Sequence, residues 1–178
     1  MRFKGIAVIL IFTMAVIFPL NVGSQEFEKE DFYITPQLGI NSYTIPFGAS
    51  AEYAVTDNIG IGGTGMVWFW SSQFYSNTLI ALSADAAYHF TGLDVEKLDV
   101  YAGGALGFSI YSWKGKSGFA NGDFGGAGSS GLYLQPFVGA RYYISPKIAV
   151  NLRLNAAVLG DWAGVGGYLG VTIPLGSD

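Results

Sequence analysis

The chain has 178 residues, enough for one domain, and it contains no cysteine, which excludes disulfide bonds, cysteine-ligated metals and a lipid-anchored N-terminal cysteine. Charged residues make up only 12% of the chain, about half of their usual share in soluble domains. Its 13 acidic residues outnumber its 9 basic ones, so the chain lacks the basic surface of a nucleic-acid binder, and we expect no nucleic-acid partner.

The first residues have the pattern of a secretory signal peptide. Arg2 and Lys4 give a positive start, residues 6–20 are almost all apolar, and residues 22–24 are small enough for signal peptidase. The apolar run is shorter than the about 20 residues that a membrane-spanning helix needs, and an uncleaved anchor is the alternative. We predict a cleaved signal peptide over residues 1–24 and one domain over residues 25–178.

Eight segments of alternating apolar and polar side chains follow, separated by turn residues. None of them shows the 3.6-residue period of a helix, so the pattern predicts an all-β fold. The segments span residues 31–44, 48–56, 58–71, 77–90, 98–112, 131–144, 147–159 and 163–175.

The third segment contains Gly60-x-Gly62-x-x-Gly65, the glycine spacing of a dinucleotide-binding turn. That turn requires a helix directly after it, because the N-terminus of the helix faces the pyrophosphate. Residues 66–70 are instead Met, Val, Trp, Phe and Trp, which favour a strand. We interpret these glycines as space inside a barrel for large side chains of other strands, and we expect no cofactor.

The polar faces of the segments distinguish a membrane barrel from a soluble sandwich. A sandwich would expose a face rich in Lys and Glu, whereas these polar faces consist mostly of Gly, Ser, Thr, Asn and Tyr. Small neutral side chains suit the interior of a narrow barrel, and the opposite aliphatic faces suit lipid. Closure also removes the sheet edges that hydrocarbon does not tolerate. We therefore predict an eight-stranded antiparallel up-and-down transmembrane β-barrel, whose even strand number is typical of bacterial barrels.

The connections predict the orientation of this barrel. Residues 56–58, 91–97 and 145–147 are short or moderate connections, whereas the longest one, residues 114–130, is rich in glycine and serine. Outer-membrane barrels have short periplasmic turns and longer outer loops. We therefore place residues 114–130 outside the cell, where they can contact an extracellular ligand.

Aromatic residues near the segment ends predict two girdles at the membrane surfaces. The outer girdle would hold the four tryptophans, Trp68, Trp70, Trp113 and Trp162. The inner girdle would hold Tyr53, Tyr88, Phe90, Tyr142 and Tyr143.

Two stretches near the C-terminus resemble a known family. Residues 136–155, PFVGARYYISPKIAVNLRLN, form a strand–tight turn–strand hairpin, and the last segment carries Tyr168-x-Gly170-x-x-Ile173-x-Leu175. With the eight-segment topology, they make the chain similar to the small outer-membrane barrels of the OmpA/OmpX type. The resemblance implies a monomer in the bacterial outer membrane, surrounded by outer-membrane lipid and inserted by the barrel-assembly machinery. Such chains often stop at an aromatic residue, whereas this one continues through residues 176–178.

Catalytic chemistry has little support in the sequence. The single histidine, His89, lies near the predicted periplasmic end, and the position where a serine partner would stand is Thr91. We interpret His89 as a polar side chain near the barrel rim. Asp94, Glu96 and Asp99 lie close together, in what we interpret as a solvated turn. We predict no catalytic residue and no metal site.

The most economical function is a non-enzymatic structural or surface-interaction barrel with a plugged interior, because eight strands leave room only for side chains. A small low-conductance pore and a lipid A-modifying enzyme are the alternatives. Four charged residues fall on interior faces: Glu52, Asp85, Arg141 and Arg153. An unpaired charge is costly there, so we expect Arg153 to pair with Glu52 or Asp85. The alternative is that trapped water solvates each charge separately.

Overall fold

The computed structural model describes residues 27–41, 44–91, 93, 95–115, 125–160 and 165–175, and its eight strands close into one barrel. The strands are β1 (Phe32–Asn41), β2 (Phe47–Ala54), β3 (Ile59–Ser71), β4 (Tyr75–His89), β5 (Leu98–Gly115), β6 (Gly125–Ser145), β7 (Ile148–Ala156) and β8 (Val165–Pro174). Each strand pairs antiparallel with the next, and β1 pairs antiparallel with β8. The predicted eight-stranded antiparallel up-and-down β-barrel is confirmed.

The signal peptide predicted over residues 1–24 lies outside the described residues, so the division at residue 25 stays a prediction. The described ranges contain no apolar helix of the length that crossing a membrane requires.

The barrel carries its apolar side chains outside and its polar side chains inside. Successive residues of a strand point to opposite faces, so each strand contributes to both surfaces. On β6, Leu132 and Val138 are 75% and 52% exposed, whereas Gln135 and Arg141 on the opposite face are buried. All eight strands expose large apolar side chains in this way. Such a pattern is the reverse of a soluble protein, and it matches a barrel whose outer surface contacts lipid.

The two ends of the barrel differ in their connections. We call the end that holds residues 55–58, 90–97 and 146–147 the turn rim, and the opposite end the loop rim. At the loop rim, β5 continues to Gly115 and β6 starts at Gly125, so both ends of the predicted loop 114–130 are strand. Residues 116–124 of that loop lie outside the described residues.

One side of the barrel rises above the other at the loop rim. The last residue of β3 that pairs with β2 is Val67, opposite Phe47, and residues 68–71 continue beyond it, paired to β4 alone. The first residues of β4 then pair with the end of β5, as Asn77 does with Trp113. We call the raised part of the sheet, residues 68–71, 75–79 and 111–115, the wall.

The prediction of an outer tryptophan girdle is wrong for Trp68, Trp70 and Trp113, which all lie on the inward face of their strands. Even-numbered residues of β3 point inward, so Trp68 shares a face with Thr64 and Met66 and is only 4% exposed. The height of Trp68 along the strand was predicted well, but an even-numbered residue of β3 points into the barrel. On the inner girdle, Tyr143 is likewise buried, whereas Tyr53, Tyr88 and Phe90 are exposed. Trp162 lies outside the described residues.

The glycines of the third segment belong to a strand, because β3 runs without a break through residues 59–71. No helix follows them, so the dinucleotide motif has no structural basis here. A Cβ atom at Gly60 would collide with the carboxyl group of Glu52. Similarly, a Cβ atom at Gly139 would collide with the ring of Tyr101. Both glycines make room for large interior side chains, as the sequence suggests.

Candidate functional site: the filled interior

The centre of the barrel holds an ion pair between Arg153 on β7 and Asp85 on β4. Arg153 Nη1 donates to Asp85 Oδ2 at 2.8 Å. Two hydroxyls donate to the same carboxylate: Thr64 Oγ1 to Oδ2 at 2.5 Å and Ser83 Oγ to Oδ1 at 2.6 Å. The guanidinium carbon of Arg153 also lies 3.7 Å from the centre of the Phe137 ring. We call Asp85 and Arg153 the central pair.

A second cluster of charges lies nearer the turn rim and joins four strands. His89 Nδ1 lies 2.7 Å from Asp99 Oδ1, and His89 Nε2 lies 3.0 Å from Glu52 Oε1. Arg141 Nη1 donates to Asp99 Oδ2 at 3.4 Å, and its Nη2 donates to Glu52 Oε2. We call Glu52, His89, Asp99 and Arg141 the rim network.

The geometry of the rim network defines its charges. Both nitrogens of His89 face carboxylate oxygens, which only accept when ionised, so the arrangement favours a ring that is protonated on both nitrogens and positively charged. Two cations and two anions then form a closed ring with no net charge. Each carboxylate oxygen of Glu52 and Asp99 has one partner within this ring.

The segment that precedes β1 covers the rim network. The Phe27 ring stacks on the His89 ring with a centroid distance of 3.6 Å and an interplanar angle of 5°. Glu30 N donates to Ala54 O at 2.8 Å, and Glu28 N donates to the Tyr33 hydroxyl at 3.3 Å. These bonds hold residues 27–31 against the turn rim, and Phe27 is only 2% exposed. The segment therefore covers His89 at this end of the interior.

Apolar and aromatic side chains fill the interior between the central pair and the loop rim. Six buried residues form this cluster: Met66, Trp68, Leu79, Ala81, Tyr133 and Tyr168. Two small cavities remain beside the central pair, of about 20 and 30 Å³, and Arg153 lines both. A cavity of this size has room for about one or two water molecules. Neither can hold a sugar or a lipid.

The structure places all four predicted interior charges inside the barrel and distributes them over both clusters. Arg153 meets Asp85, and Glu52 meets Arg141 instead. The prediction of a solvated turn is wrong for Asp99, which is the second residue of β5 and only 8% exposed. Asp99 lies two residues before the buried Tyr101, and side chains two residues apart in a strand point to the same face. This spacing is the sequence signal that places Asp99 on the inward face. His89 is fully buried within the rim network rather than merely near the rim.

The rim network lacks the arrangement that nucleophilic catalysis requires. A catalytic histidine needs one nitrogen for the nucleophile and one for the orienting acid. Both nitrogens of His89 are engaged by carboxylates. In the described part of the chain, no three His, Cys, Asp or Glu side chains are grouped so that they could hold a metal ion.

Solved structures resemble this barrel, although no family model and no curated protein sequence matches the chain. The N-terminal β-barrel domain of Pseudomonas aeruginosa OprF is 18% identical, with a TM-score of 0.60 over 83% of this chain and 98% of that one. The outer membrane protein OprG from Pseudomonas aeruginosa is 11% identical, with a TM-score of 0.58 over 86% of this chain and all of that one (100%). A de novo designed barrel, TMB2.3, is 14% identical, with a TM-score of 0.55 and coverage of 86% and 100%.

Identities this low show the fold and leave the function open, as the match to a designed barrel illustrates. The predicted resemblance is thereby confirmed at the level of the fold: the chain is a closed eight-stranded antiparallel barrel like the small outer-membrane barrels of the OmpA/OmpX type.

Proposed function

We propose that this protein is an integral, non-enzymatic barrel of the bacterial outer membrane, with a structural or surface-interaction role and an interior plugged by side chains. One observation carries the proposal: apolar side chains cover the outside of all eight strands, while the charged side chains of the central pair and the rim network pair inside the barrel. Lipid favours the first arrangement, and a narrow interior requires the second.

The orientation follows from the two rims. The β5–β6 hairpin, which has the two longest strands, extends at the loop rim, and the long hairpins of outer-membrane barrels extend outside the cell, so the turn rim and the segment 27–31 face the periplasm. The loop rim, with the wall and the connection between β5 and β6, then faces the outside and is the surface that a ligand can reach. The last strand, with Tyr168, Gly170 and Ile173, is the segment that the barrel-assembly machinery would read during insertion.

The plug consists of three layers that succeed one another along the barrel axis: the aromatic cluster, the central pair and the rim network covered by Phe27. Each charge in these layers has an opposite charge within hydrogen-bond distance. The cavities between the layers have room for only a few waters, which opposes a constitutive pore for solutes.

Four measurements test this proposal: membrane fractionation, the heat-dependent gel shift, liposome swelling and lipid A mass spectrometry. The chain, expressed with its leader in a Gram-negative host, should fractionate with the outer membrane and migrate faster on gels before heating than after it, because a closed barrel resists detergent. Recovery in the soluble fraction would contradict the proposed location. The purified barrel in liposomes should give no swelling with small sugars, and the lipid A mass spectrum of the host should be unchanged. Swelling would favour the pore, and a modified lipid A would favour the enzyme.

A further inference from the structure

The polarity of the outward face changes at the wall. Within the apolar belt, Ile80 on β4 pairs with Ile110 on β5, and both side chains are exposed. Two outward levels higher, the pair is Ser76 and Lys114. A polar outward face suits water rather than hydrocarbon, so the part of the wall at the level of Ser76 and Lys114 stands above the membrane surface.

The inward face of the wall is aromatic at the same height. Trp70 stacks on Tyr111 with a centroid distance of 5.8 Å and an angle of 19°. Tyr75 meets Trp113 edge-to-face with a centroid distance of 5.6 Å and an angle of 83°. Tyr75 is 49% exposed, and the other three rings are half-buried. Below them the interior is closed by Trp68, which is only 4% exposed.

A hydrogen bond fixes the polar group between these rings. The Tyr111 hydroxyl donates to Asn77 Oδ1 at 2.6 Å, and Asn77 pairs across the sheet with Trp113. Because the amide oxygen faces Tyr111, the amide NH₂ group faces away from it and can donate to another acceptor. We call Trp70, Tyr75, Asn77, Tyr111 and Trp113 the aromatic cup.

We propose that the aromatic cup binds a neutral oligosaccharide. The inference rests on the proposed function, because the loop rim must face the outside for such a ligand to arrive. Flat aromatic rings offer stacking surfaces to the C–H-rich face of a sugar ring, and Trp, Tyr and Asn add hydrogen-bonding groups at the edges. None of the five cup residues is charged, so the cup complements a ligand without charge. Trp70 and Tyr111 also pack against the buried cluster beneath them, so Tyr75 and Trp113 offer the ring surface that this packing leaves.

Matched substitutions on the two faces of the wall test this inference. Trp113 lies in the cup, whereas Phe69 on β3 points outward and is 56% exposed. Refolded barrel in detergent micelles is titrated with cellohexaose, maltohexaose and chitohexaose, and with hexagalacturonic acid as the charged control. Tryptophan fluorescence and calorimetry report binding, and the heat-dependent gel shift reports that each variant is folded.

The cup predicts that at least one neutral hexamer binds and that Trp113→Ala weakens it at least about tenfold, while Phe69→Ala changes it less than about twofold. Asn77→Ala keeps all four rings and should also weaken binding of the neutral hexamer. This variant replaces Trp113→Ala in the test if Trp113→Ala does not fold. No saturable binding of any neutral hexamer by a folded barrel up to ~10 mM would overturn the inference. Equal binding of the charged hexamer, or equal effects of the Trp113 and Phe69 substitutions, would overturn it as well. If the barrel folds and inserts into membranes but binds no neutral hexamer, the oligosaccharide site is refuted and the proposed function is unaffected.

Discussion

The central pair and the rim network neutralise charges in the barrel interior in two different ways. Both place arginine and carboxylate in the narrow interior, but the central pair has one cation for one anion, helped by two hydroxyls and bordered by cavities with room for water. The rim network instead joins two cations and two anions in a ring beneath the Phe27 ring. A charge in the ring depends on two partners, so the loss of one member affects the others. We expect the loss in free energy of unfolding on each substitution to depend on the number of charged partners and on the access of water. The depth of the residue along the barrel axis should matter less.

Loss of Arg141 should have the largest effect. Arg141→Ala leaves Glu52 and Asp99 with His89 as their only cation, and we expect the free energy of unfolding in micelles to fall by about 5 kcal/mol. The urea midpoint measures this change. Arg141→Lys should recover little, because one ammonium group cannot reproduce the two-armed contact with both carboxylates. A loss no larger than that of Arg153→Ala would contradict the proposed difference between the clusters.

Loss of Arg153 should cost less. Arg153→Ala strands Asp85, but Thr64 and Ser83 still donate to that carboxylate and the adjacent cavities can admit water, so we expect about 3 kcal/mol. Arg153→Lys should be mild, since a single nitrogen of Arg153 contacts Asp85. Combining Arg153→Ala with Asp85→Asn should recover part of the loss. Simple addition of the two single effects would mean that the pair is not coupled.

Removal of the Phe27 ring tests whether exclusion of water supports the rim network. Phe27→Ala exposes His89 to the periplasmic side and loses a buried ring, so we expect the barrel to lose about 2 kcal/mol of stability. Phe27→Leu keeps apolar bulk and should recover most of it. If the alanine and leucine variants unfold at the same midpoint as the parent, the cover contributes nothing to the network.

Loss of one hydroxyl at the central pair should be the smallest effect. Thr64→Val removes the donor to Asp85 Oδ2 while Arg153 and Ser83 remain, so we expect about 1 kcal/mol. The same measurement in the Asp85→Asn background should show a smaller change, because the acceptor there is no longer charged. An unchanged cost in both backgrounds would indicate that Thr64 acts through packing alone.

The sequence predicts the fold well because alternation is a local property of each strand. Residues of β7 alternate between aliphatic and polar side chains, so the inward position of Arg153 could be inferred without a structure. Its partner could not be chosen between Glu52 and Asp85, since contacts across the interior depend on the stagger of strands that are not neighbours. Asp99 was misplaced because it was grouped with Asp94 and Glu96 as a turn, although the predicted fifth segment and β5 both begin at residue 98. Trp68 was misplaced because its ring was assigned by depth instead of parity.

The pairing of β1 with β8 has a consequence for how the chain assembles. Seven of the eight strand contacts join neighbours in sequence, whereas the eighth brings Tyr33 to Pro174. Local hairpins form quickly, but a contact between such distant residues carries the entropy of closing almost the entire chain. The backbone edge of β1 must therefore stay open until β8 arrives, and an open edge invites other strands. Shielding of that edge, rather than the pairing of any hairpin, is the step on which efficient assembly of this barrel depends.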